Sequence, residues 1–141
     1  AEMAEGWQRN KESGSIIVII ATDAPMSDTN LRQLAKRAGL GIGRSGTPGG
    51  YNSGDIFLAI STADDLPNPL QAGPVITRTA VNWEELNPIY EAAVQAVDEA
   101  VINAIVAGED VETFKPAGFI CPAIDTERLM QIMTAYGRGP K

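Results

Sequence analysis

Two uninterrupted apolar runs organise this chain. Ile16–Ala21, within "GSIIVIIATDAP", is β-branched and too short for a helix, so it predicts a strand covered on both faces. Asp23-Ala24-Pro25 ends it, because proline donates no hydrogen bond and restricts the residue before it. Ile56–Ser61, "IFLAIS", predicts a second mostly buried strand. Val75–Val81 alternates Thr77 and Thr79 with aliphatic positions and predicts a third, wet on one side. Between the first two runs the spacing changes. Leu31, Leu34, Ala35 and Ala38 share a helical face, with Ser27 or Asp28 placed to cap it and Gly39 to close it. A longer helix is expected from Asn87-Pro88, with Tyr90, Val94, Val97, Val101 and Ile105 on one stripe and Gly108 at its end. The stretch "EDVETFKPAGFICPA" is expected to be mostly loop. A last helix carries Leu129, Ile132, Met133 and Tyr136, with Asp125 or Thr126 at its cap and Gly137 as its stop. Strands and helices in this order indicate an α+β or α/β chain.

Between the first helix and the second strand lies "GLGIGRSGTPGGYNSGD", with seven glycines in seventeen residues. It predicts a long loop of the kind that carries function. Gly41, Gly43 and Gly46 match GxGxxG, but a helix precedes them and a strand follows. A dinucleotide loop needs the reverse order, and the Lys-Ser/Thr ending of a phosphate loop is missing.

Composition narrows the chemistry. The 141 residues are 44% apolar, enough for a folded core, and the net charge is −7. No long basic run offsets that charge, which disfavours nucleic acid and anionic membranes as partners. No apolar run is long enough to span a bilayer. Residues 1–14 are polar and mixed in charge apart from Trp7, and are expected to form an upstream segment or linker before a domain at 15–141. With no apolar core in "AEMAEGWQRNKE", a cytoplasmic location is the default expectation, and a periplasmic one follows if a leader lies upstream. One cysteine, Cys121, allows no internal disulfide. Its neighbour Pro122 favours a structural role.

There is no histidine, so a hydroxyl nucleophile in this chain needs another base. Gly14–Ser15 at the entrance of the first strand suggests one. If the bond before Ser15 breaks, the freed α-amine, with a reference pKa of about 7.7–8.0, takes the hydroxyl proton near neutral pH. Glycine leaves that junction unshielded by a side chain. A Gly-Ser pair is also an ordinary strand entrance, and the residue pattern alone leaves both readings open.

Four stretches add a resemblance. "GSIIVIIATDAP", "RQLAKRAGLGIGRSG", "NSGDIFLAIST" and "NPIYEAAVQAVDEAVINAIVAGEDV" together resemble the self-processing aminopeptidases that include the L-aminopeptidase/D-esterase and the β-peptidyl aminopeptidases. The likeness runs from about Gly14 to about Arg128. It implies cleavage at the Gly14–Ser15 junction, Ser15 as the nucleophile opening a small carboxyl-terminal subunit, and Ser53 with the acid Asp55 as site residues. Some members carry glutamate at that acid position. Ser53 is then expected to hydrogen-bond the Ser15 amine or hydroxyl, and Asp55 to accept from Ser53. The resemblance further implies an α-β-β-α sandwich resembling the ornithine acetyltransferase fold, no metal or other cofactor, a larger amino-terminal subunit of the same precursor, and an oligomer of subunit pairs acting on peptides, amides or esters.

An acyltransferase of that fold and a non-catalytic subunit are the competing readings. Serine, rather than the threonine usual in the acetyltransferases, favours hydrolysis. The family's oxyanion-stabilising asparagine belongs to the larger subunit, so Asn30, Asn52 and Asn82 are not assigned that role. Tyr51 is expected either to line the pocket or to cover the glycine loop. Trp83 is expected to pack at an element start, and Met130 and Met133 to be core contacts.

Overall fold

The structure is a computed structural model and describes residues 14–63, 70–115 and 117–139. Trp7 and all of the upstream segment except Gly14 therefore lie outside the described residues. The chain divides into two compact units, Ala1–Asp98 and Glu99–Lys141.

In the first unit, β1 (Ile17–Thr22) pairs in parallel with β2 (Ile56–Ser61), from Ile17 opposite Ile56 to Thr22 opposite Ser61. A parallel pair needs a crossover, and two helices supply it: α1 (Asp28–Ala35) and α2 (Ala38–Arg44). A 3-10 turn at Trp83–Glu85 leads into α3 (Leu86–Val106). Leu34, Ala59, Leu86, Ala93 and Met26 form one buried cluster, against which Ile20 packs. Ala38, Ile42 and Val97 form another, with Ile16, Val18, Ile20 and Phe57 against it. Helices thus cover one face of the strand pair.

The other face is bare. Ile17 and Ile19 on β1 and Ile56, Leu58 and Ile60 on β2 are all exposed, Ile17 to 69%. The strands are where the apolar runs place them, but the expected two-sided burial is corrected. Alternation sends successive side chains to opposite faces, and the described residues supply a cover for only one.

The glycine-rich loop is also corrected. α1 ends at Ala35, and Gly39 closes nothing, because residues 38–44 form α2. Glycine costs about 1 kcal/mol relative to alanine inside a helix, so a tertiary contact must offset three of them. Gly41 provides that contact. A Cβ there would lie 2.7 Å from Val97 Cβ and 2.8 Å from the Val94 carbonyl oxygen. The glycine lets α2 and α3 touch backbone to backbone. Gly41→Ala is expected to destabilise the fold by about 1–3 kcal/mol through overpacking, read as a Tm several degrees lower. An unchanged Tm would show that the helices part freely. The real loop starts after Arg44, and Gly46 and Gly49 take positive φ values of 101° and 65° within it.

Ser27 caps α1 by accepting from the Asn30 N–H at 3.2 Å. Val75–Val81 is not a strand. It is fastened at separate points, by Val81 N–H donating to the Pro25 carbonyl at 2.8 Å and by Arg78 to Asp28 at 3.2 Å. Isolated anchors do not make a ladder. α3 begins two residues before Pro88, the expected first helical position, which puts Pro88 third. Its missing N–H is harmless there, because first-turn donors have no intrahelical partner. Trp83 does stand at an element start, but it is 78% exposed.

The second unit holds the end of α3, a short antiparallel pair of β3 (Val111–Glu112) and β4 (Ile120–Cys121), and α4 (Thr126–Ala135). The expected loop is thus partly a hairpin, and Cys121 is exposed on it. Asp125 caps α4 by accepting from the Arg128 N–H at 2.8 Å, and Gly137 stops it at φ 68°. Met130 and Met133 are not core residues here, being 44% and 38% exposed. Among the described residues, no helix is long and apolar enough to cross a membrane.

Candidate active site

The parallel pairing continues upstream of β1 by other means. Ile56 N–H donates to the Ile16 carbonyl at 3.0 Å. One step further, side chains take over. Ile16 N–H donates to Asp55 Oδ1 at 3.2 Å, and Gly54 N–H donates to Ser15 Oγ at 3.0 Å. Both bonds keep the 39-residue offset of the ladder. The Ser15 hydroxyl is therefore fixed at the mouth of the strand pair by the register that builds the core.

An open hollow of about 190 Å³ lies there, lined by Gly14, Ser15, Ile16, Ile42, Thr47, Ser53 and Asp55. All four sequence-derived site residues, Gly14, Ser15, Ser53 and Asp55, border this one space. Their hydrogen bonds differ from the expected relay. Asp55 accepts from the Ile16 amide, and the Ser53 N–H donates to the Gly50 carbonyl at 2.9 Å. Asp55 thus clamps the peptide immediately after Ser15. Tyr51 stands fully exposed and is not among the lining residues. Ile42 and Thr47 were missed by sequence reasoning. Ile42 falls in the stretch expected to be a loop, and only its place on α2 brings it to the hollow. Thr47 carries no motif. Its hydroxyl accepts from Gly49 N–H at 3.2 Å and shapes the turn.

In the continuous chain the Ser15 nitrogen is an amide and has no basicity to offer. Among the described residues a Cβ added at Gly14 would meet nothing within 4 Å, so their packing does not demand glycine at that position. Among the described residues no group of three or more His, Cys, Asp or Glu side chains is arranged to hold a metal.

The chain is thus a mixed α/β fold in which a serine hydroxyl, a second serine and a carboxylate border one strand mouth. The chain belongs to peptidase family S58, whose model matches residues 1–117. It is 40% identical over 125 residues to the β-peptidyl aminopeptidase BapA of Sphingosinicella microcystinivorans, covering 89% of this chain and 31% of that protein. Among solved structures it resembles the L-aminopeptidase D-Ala-esterase/amidase of Ochrobactrum anthropi, described as a prototype for the serine aminopeptidases and a new variant among the Ntn hydrolase fold. That match has a TM-score of 0.82 and 44% identity, and covers 94% of this chain and 38% of the other. The β-aminopeptidase of a Burkholderia species matches with a TM-score of 0.78 and 35% identity, over 95% of this chain and 38% of the other. The chain therefore spans about a third of the length of these relatives.

Proposed function

We propose that this chain is the nucleophile-bearing, carboxyl-terminal part of a self-processing serine aminopeptidase that releases amino-terminal residues from peptides, amides or esters. The observation that carries this reading is the Ser15 hydroxyl, held by Gly54 N–H in the hollow that Ser53 and Asp55 border.

Maturation comes first. Ser15 Oγ attacks the Gly14 carbonyl carbon, the C–N bond breaks, and the hydroxyl proton ends on the departing nitrogen. Water then hydrolyses the Gly14 ester, leaving a Gly14 carboxylate and a free Ser15 amine. That amine is the base for the second reaction. It takes the Oγ proton as Oγ attacks the substrate carbonyl, and passes it to the leaving amine. Water hydrolyses the acyl-enzyme and restores the hydroxyl. Asp55, holding the Ile16 amide, keeps the residue after the nucleophile from shifting while the bond before it is cut.

The rest of the site belongs to a larger amino-terminal subunit of the same precursor. The bare face of Ile17, Ile19, Ile56, Leu58 and Ile60 supports this, since soluble proteins rarely leave such a patch uncovered. The relatives have about two thirds of their length outside the matched region, ample to cover it. In the finer reading of the fold, this helix-backed strand pair is part of an α-β-β-α sandwich whose second sheet lies against that face, and subunit pairs associate further into an oligomer.

Intact mass and amino-terminal sequencing of the chain produced together with the larger subunit test the proposal. The expected result is a new terminus at Ser15 and release of free amino acid from an amino-acid p-nitroanilide. Turnover by an assembled enzyme in which Ser15 stays amide-linked would overturn it.

A further inference from the structure

Gly54 lies between Ser53 and Asp55, and nothing in its backbone calls for glycine. Among the described residues positive φ is confined to Gly46, Gly49, Gly118 and Gly137. Space is what calls for it. A Cβ at position 54 would stand 3.0 Å from Ser15 Oγ and 3.8 Å from Ser15 Cβ. The same Oγ is 3.0 Å from the Gly54 nitrogen that donates to it. The hydroxyl is the free end of a rotatable side chain, so a methyl group at 54 would push it aside by a few tenths of an ångström at small cost to the fold. Displacement of the nucleophile, rather than unfolding, is the consequence.

The geometry points to Gly54 as a positioning residue for the Ser15 nucleophile. Its N–H holds the hydroxyl oxygen, and its lack of a side chain leaves that oxygen room against the entrance of β2. This inference deepens the reading of Ser15 given above and rests on it. The donated bond occupies one lone pair of Oγ. The second lone pair stays available for a carbonyl carbon, and the hydroxyl hydrogen for a base. As the proton leaves, charge grows on Oγ, and a bond from an N–H to a charged oxygen is stronger than one to a neutral oxygen. The donor therefore acts most strongly while the reaction proceeds, in both self-cleavage and substrate attack.

Three variants of the assembled enzyme test this. Gly54→Ala is expected to lower kcat for amide release about tenfold, through a hydroxyl pushed off its position, with KM within about twofold of the parent. Its Tm should stay within a few degrees. An amide-to-ester replacement at Gly54 removes the N–H without adding a side chain, and is expected to lower kcat about tenfold. Ser15→Ala is assayed beside them. If Ser15→Ala keeps its activity, the nucleophile reading fails and the role of Gly54 with it. If Ser15→Ala is inactive while both Gly54 variants keep kcat within about twofold of the parent, the positioning role alone is overturned. Should Gly54→Ala unfold early, the ester variant decides: a lower kcat supports the role and an unchanged kcat refutes it.

Discussion

Replacing Ser15 by alanine is expected to leave the chain folded, uncut and inactive. The side chain is exposed, and the structure gives it one hydrogen bond, from Gly54 N–H. That donor remains open to water in the variant, so the stability cost is about 1 kcal/mol at most. The chemical cost is far larger. With no hydroxyl there is no ester at Gly14, no liberated amine and no acyl-enzyme. Removing a nucleophile from a preorganised site lowers turnover by about 10⁴-fold or more. Mass spectrometry reads the uncut junction, amino-acid release reads the lost turnover, and thermal unfolding confirms that the fold survives. Ser15→Cys keeps a nucleophile and is the informative companion, since some junction cleavage should return. Normal processing and normal rate in Ser15→Ala would end the assignment.

Ile19→Asp combined with Leu58→Asp is expected to abolish assembly with the larger subunit while sparing this chain's own fold. The two residues face each other in the strand register and are 61% and 51% exposed. In the isolated chain the carboxylates stay wet, and the variant should be at least as soluble as the parent. In an assembly that covers this face both charges must be desolvated. A loss of about 4 kcal/mol would weaken association about 10³-fold. Co-purification of the two subunits and analytical sizing give the readout. An assembled, active double variant would mean that the bare face is not where the remainder of the protein sits.

These two experiments probe features of different legibility. The first two strands were visible because a continuous apolar run of about six residues between turn signals has few alternatives at that length. Both lie within one residue of the apolar runs. Ser27, Asp125 and Gly137 were legible for a similar reason, because a cap or a helix stop acts on atoms a few residues away. The candidate site residues could be named from residue types and from likeness to a family. Their hydrogen bonds could not. Asp55 was expected to serve Ser53, yet its carboxylate holds the Ile16 amide, 39 residues away in the chain. Gly54 is one of seven glycines in its stretch, and only the strand register brings it against Ser15.

By itself, then, the chain's order of residues determined where the first two strands and the caps at Ser27, Asp125 and Gly137 fall, that no imidazole is available, and which serine stands at the head of a strand. Each depends on interactions within a few residues or on composition alone. Tertiary structure decided that Gly39–Arg44 is helical, that Val75–Val81 joins no sheet, and that one face of the strand pair stays bare among the described residues. It also brought the Gly54 N–H to the serine hydroxyl. Those outcomes depend on which distant atoms meet: Gly41 against Val97, Val81 against Pro25, Ser15 against Gly54. Propensity acts along the chain, whereas close packing and register act across it, and at these positions the second outweighs the first.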